Sequence, residues 1–170
     1  MKTENFEFIS FNATDISNLV SRREGETKIG EKVQVGWPSK GKYVLIGVQE
    51  DIGPQANFGR PGSTAAFSSM LSRFLNMQSN RFLSGDEICV AGFVRQLTSF
   101  SSVEVGRKQV EELDALLIDL LIPIYKNDQL PIIVGGGHNN AYPLIAAYSK
   151  VFNKPLEVVN LDPHADCRRL

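Results

Sequence analysis

Apolar positions along this chain follow two alternating rhythms. Short continuous runs, YVLIGV at 43–48, ICVAGFV at 88–94, LPIIV at 130–134 and LEVVNL at 156–161, have the length and β-branched content of buried strands. Between them the spacing changes. Phe67, Met70, Leu71, Phe74 and Leu75 recur three and four apart within 63–77, as do Val110, Leu113, Leu117, Leu120 and Ile124 within 104–126. Both stripes predict helices. Residues 140–152 read as a third helix, with Pro143 tolerated in its first turn. Strand and helix in alternation predict βαβ units, hence an α/β fold of three layers: a parallel sheet of about four strands with flanking helices. Ahead of it, 1–42 is polar and weakly periodic, an N-terminal extension with one short helix near 14–22; the α/β domain is expected over 43–170. No internal repeat or low-complexity tract interrupts this pattern.

Composition narrows the picture modestly. A chain of 170 residues, 42% hydrophobic and 22% charged, can bury one real core. The net charge of −1 argues against nucleic acid or an anionic membrane as the main partner, since both require a basic footprint. Cys89 and Cys167 make neither a disulfide framework nor a metal-type pair, which suits a reducing compartment. The opening MKTENFEFIS lacks the apolar centre of a signal peptide. The apolar stretch at 115–124 contains Asp119 and Pro123 and is too short to span a bilayer. A cytoplasmic location is expected.

Candidate chemistry gathers where the predicted strands end, the side of an open α/β sheet on which ligands bind. The loops at 49–62, 135–140 and 162–167 qualify, and the chain's two histidines, His138 and His164, lie in the latter two. Asp162, His164 and Asp166 alternate, so an extended backbone points all three to one side, and Pro163 biases Asp162 toward that geometry. Two carboxylates and an imidazole on one side repel or strand each other without a cation, and mixed N/O ligation suits Mn, Fe, Co or Zn. The motif read alone also fits a capping acid, a packed histidine and a solvated acid. A second His after the Gly-rich turn GGGHNN (135–140) favours a metal site with His138, Asp162, His164 and Asp166 as ligands. That turn lacks the spacing of a dinucleotide fingerprint or a P-loop, so its glycines are expected to turn the backbone tightly and deliver His138. ANFGRPGS (56–63) places Asn57 and Arg60 on the same rim as candidate substrate contacts, with Asn139 a weaker one.

GGGHNN after one strand and LDPHADCR after the next resemble the ureohydrolase signatures G-G-D-H-S and D-A-H-x-D, in the same order. NFGRPG is similar to the early Arg–Gly loop of that family, near its formimidoylglutamase branch. The resemblance, from about residue 43 onward, is to arginases, agmatinases and formimidoylglutamases. It implies a cytoplasmic, arginase-like homo-oligomeric hydrolase of histidine or arginine catabolism with two Mn2+ ions in its complete site. His138 would bind one ion and His164 the other, Asp162 would bridge them and Asp166 would complete the first. A metal-bridging hydroxide would attack the carbon of a small amidine or guanidine amino acid, with formimidoylglutamate ahead of arginine. Gly137 and Asn139 depart from the family's usual Asp and Ser, which alters the support around His138.

The family also contributes two further metal-binding aspartates from a later D-x-D, and 1–170 contains no such segment. The resemblance further implies a sheet in which the first strand lies between the second and third, with two later strands between the third and fourth. At about 4.8 Å per strand that leaves a gap of roughly 14 Å between 130–134 and 156–161. The chain is therefore expected to be part of a longer hydrolase, or else to oligomerise or pair those strands directly, and to be inactive alone. Two other readings stand beside this one. A calcineurin-like metallophosphoesterase uses D-x-H and G-N-H elements, though in the reverse order, and a metal- or partner-binding fragment would need no catalysis.

Overall fold

The computed structural model describes residues 1–162. Its sheet is built around β3 (Tyr43–Gln49), which pairs in parallel with β4 (Ile88–Gln96) on one side and β5 (Leu130–Val134) on the other. The two-residue β2 (Gln34–Val35) also runs parallel to β4. β1 (Phe6–Ser10) lies antiparallel along the second half of β4, so the order is β1-β4-β3-β5. The α/β architecture with an open sheet is as expected, and the antiparallel strand at its edge is the addition.

That edge strand comes from the stretch expected to be a polar extension ahead of the sheet. FEFIS alternates, and Phe6 is fully buried beneath α4 (Val103–Lys126). Asn5 is held by the same helix: its N–H and Nδ2 donate to the Glu112 carboxylate at 3.0 and 2.6 Å, and its Oδ1 accepts from Gln109 Nε2 at 2.9 Å. Residues 1–3 fold back over the outer side of β1. Phe8 N–H donates to the Met1 carbonyl at 2.9 Å, and Thr3 N–H donates to the Phe6 carbonyl at 2.8 Å. The short helix expected near 14–22 is α1 (Ala13–Ser17), fixed by a capping box in which Asn12 Oδ1 accepts from Thr14 and Asp15 while Asp15 accepts from Asn12 N–H.

Successive residues of β3 face opposite sides. Val44, Ile46 and Val48 meet α4, whose Leu113, Leu117, Leu121 and Ile124 are fully buried, and α5 (Ala141–Phe152) lies beside α4 on that face. Each such side chain contributes about 1.5–3 kcal/mol of transfer free energy. Leu45 and Val90 face the other way, toward α3 (Ala66–Leu75) and the ring cluster of Phe11, Phe67 and Phe93. Gly47 sits under Phe67: a Cβ there would lie 2.1 Å from the ring, so only glycine lets the helix close on the strand.

The helices on 103–126 and 141–152 and the strand at 130–134 fall where the periodicity put them. The expected fourth strand does not. Residues 156–161 carry no strand pairing, and Val159 and Leu161 are 93% and 102% exposed. An extended apolar run becomes a strand only against a partner edge, and β5 and 156–161 do not pair here. The α3 face of the sheet is likewise uncovered beyond β3, where Tyr43, Leu45, Met70, Phe74, Ile132 and Val134 line an apolar trough of about 440 Å3. Among the described residues, no helix is long and apolar enough to cross a membrane.

Candidate functional site

β3 and β5 are neighbours whose following helices, α3 and α5, pack on opposite faces of the sheet. Their carboxyl ends lie side by side, on the edge where an open α/β sheet binds ligands. The chain turns there by means of glycine. Gly135 and Gly136 have φ of +92° and +68°, in the left-handed region that favours glycine. Gly137 is extended, and His138 then opens a short 3-10 turn (His138–Asn140) leading into α5, with its side chain exposed at the rim. Asn140 Nδ2 donates to the Gly135 carbonyl at 3.0 Å and closes the turn from below.

The loop after β3 packs directly against this turn. It begins with α2 (Ile52–Ala56), and a Cβ at Gly137 would lie 2.8 Å from the Pro54 ring. The Asn139 amide is wedged between Gly53 and Gly137, with both polar atoms enclosed, so this weaker substrate candidate lies beneath the rim. Asn57 and Arg60 follow α2 and are exposed. The structure thus brings the first two candidate loops together.

Two adjacent carboxylates at the end of β3, which the sequence reading did not single out, hold these loops. Asp51 Oδ1 accepts the N–H groups of Gly62 at 2.8 Å and Thr64 at 3.1 Å, and lies 2.8 Å from Ser63 Oγ. Burial alone would push its pKa up, but the hydrogen bonds from Thr64, Ser63 and Gly62 outweigh that and hold the carboxyl at about 2. Glu50 points inward. Beneath both loops, Asp114 of α4 is half-buried with Oδ1 unpaired; burial, reinforced by the charges of Glu111 and Glu50, pushes it up to about 6. A signal was available in QEDIG, where two acids follow an apolar run directly. Acids at strand ends read as solvated unless the loops that donate to them are known.

Of the four expected ligands, His138 and Asp162 are exposed on the loops that follow β5 and α5. His164 and Asp166 lie outside the described residues, and among the described residues no group of three His, Cys, Asp or Glu side chains forms a metal cluster. An imidazole and a carboxylate are both donor types that divalent ions accept.

Comparison with known proteins bears on the family and the fold. A formimidoylglutamase from Photorhabdus laumondii is 25% identical over 126 residues, 74% of this chain and 36% of that protein. The crystal structure of Trypanosoma cruzi formiminoglutamase with Mn2+ matches the fold with a TM-score of 0.55 at 22% identity, over 75% of this chain and 41% of that one. The chain therefore spans between a third and a half of the length of these relatives. The metallophosphoesterase alternative has no support in either match. A model of the arginase family matches residues 42–170, a span that includes β3 and both histidines, and the chain belongs to the arginase family.

Proposed function

We propose that this chain carries the amino-terminal part of the active-site machinery of a manganese-dependent hydrolase of amidine C–N bonds, with formimidoylglutamate as first substrate and arginine as second. The observation that carries the reading is the glycine turn that presents His138 at the sheet's carboxyl edge, packed against the loop bearing Asn57 and Arg60. His138, Asp162, His164 and Asp166 would hold the metal, and Asp162 would be the carboxylate shared between two ions. Mn2+ held there would supply the nucleophile, by acidifying a water that attacks the already cationic amidine carbon.

The chain's own residues bind and orient. Arg60 is a cation on a rim loop whose return Asp51 fixes through Gly62 and Thr64, so it can receive a substrate α-carboxylate in a defined place. Asn57, next to α2, adds a polar contact on the same rim. The proposal includes a cytoplasmic location and a homo-oligomeric assembly.

Equilibrium dialysis of Mn2+ against the purified chain, with His138→Ala and Asp162→Ala, tests the metal assignment. Both substitutions are expected to lower uptake, Asp162→Ala the more. Full loading of Asp162→Ala refutes the shared carboxylate. Assaying formamide release from formimidoylglutamate beside urea release from arginine tests the substrate. Urea alone refutes the first choice. Because the chain spans less than half the length of its relatives, turnover by the isolated chain is expected to be absent or slow even when metal binds.

A further inference from the structure

Glu50 is 1% exposed, yet among the described residues its carboxylate forms no salt bridge. It is instead filled by two main-chain donors from different loops. Oε2 accepts the N–H of Gly53, in the first turn of α2, at 2.7 Å. Oε1 accepts the N–H of Gly137, the residue before His138, also at 2.7 Å. The fit is close, since a Cβ at Gly136 would lie 2.7 Å from Oε1. The main-chain carbonyl of the same residue accepts from Ser63 Oγ at 2.7 Å, so one residue ties together three segments of the rim.

We infer that Glu50 is the positioning residue for His138. This rests on the reading of His138 as a metal ligand. Three consecutive glycines form the most pliable backbone available, and they are what carries the imidazole. Charge-assisted bonds to a buried side chain anchored on β3 convert that pliable turn into a fixed platform. The chemistry requires a carboxylate of this length. Glutamine would set an NH2 against one of the two N–H donors, losing a bond and leaving a buried donor unpaired. Aspartate is one methylene short of bridging both loops.

The experiment uses the full 170-residue chain, with Glu50→Gln compared with Leu117→Ala, which opens the core away from the rim. Amide hydrogen exchange at Gly53 and Gly137 is read by NMR, and Mn2+ affinity by dialysis. Glu50→Gln is expected to speed exchange at Gly137 or Gly53 at least tenfold and to weaken Mn2+ binding by about 10–100-fold. Leu117→Ala lowers Tm but leaves both readouts unchanged, which separates positioning from general stability. Wild-type Mn2+ affinity in Glu50→Gln, with the amide protection lost, overturns the inference while the metal reading stands. No Mn2+ uptake by the wild-type chain overturns the metal reading and the positioning role with it, although protected amides still report the clamp. Should Glu50→Gln not fold, Glu50→Asp replaces it with the same two outcomes.

Discussion

Asp114→Asn is expected to stabilise this chain, by an amount that grows from about pH 4 to pH 6 and is constant above that. Asp114 lies on α4 beneath the site loops, half-buried, with Oδ1 lacking a hydrogen-bond partner. Burial first, then the charges of Glu111 and Glu50, raise its pKa from 3.8 to about 6. A folded state that keeps its proton longer than the unfolded chain loses stability as pH rises between those values, because the unfolded state binds fewer protons there. At 1.36 kcal/mol per pKa unit, a shift of about 2 units corresponds to at most about 3 kcal/mol. Solvent screening at a half-exposed carboxyl reduces this to about 1 kcal/mol. The asparagine variant removes the charge and keeps the shape. Urea unfolding followed by circular dichroism at pH 4 and pH 8 is the assay, with the slope against urea held constant as the check on comparison. The two proteins should coincide at pH 4, and the variant should be about 1 kcal/mol more stable at pH 8. An equal gain at both pH values, or a loss at pH 8, refutes the electrostatic argument.

Three further outcomes are expected. Gly47→Ala drives a methyl into the Phe67 ring and costs about 1–3 kcal/mol by urea unfolding, with Phe67→Leu recovering part of the loss in a double-mutant cycle; strict additivity of the two changes contradicts the contact. Asp51→Asn weakens the hydrogen bonds to Gly62 and Thr64 and costs about 1–2 kcal/mol. Since that carboxyl is held at about 2, below its ordinary 3.8, its contribution is complete above about pH 4 and fades as pH falls toward 2; chymotrypsin cleavage at the exposed Phe58 should quicken in the variant at pH 8. Cys89 is buried, and burial pushes its thiol up against a smaller opposing hydrogen bond from Ser39, so in a Cys167→Ser background a thiol reagent should react only after urea is added.

The elements legible in the sequence were those whose burial is one-dimensional. LPIIV is β5 to the residue, and the stripe from Val110 to Ile124 lies on α4. β1 was not legible, because five alternating residues at a sheet edge look like any polar tail until β4 is beside them. LEVVNL was misread for the opposite reason: its composition is that of a strand, but pairing is a property of two segments. The site divides in the same way. His138 could be read from the glycines before it, whereas Glu50 and Asp114 owe their environment to loops far away in the chain.

The N-terminal fold-back has a consequence for self-association. Residues 1–3 occupy donors and acceptors on the outer side of β1, while the outer edge of β5, with Leu130 and Ile132 exposed, has no strand on it among the described residues. A filament built by adding strand to strand requires two adhesive edges on every unit. This sheet has one. Copies meeting edge to edge through β5 are therefore expected to stop at a pair, and removing Met1, Lys2 and Thr3 is expected to free the β1 edge and lengthen the assemblies, as read by light scattering.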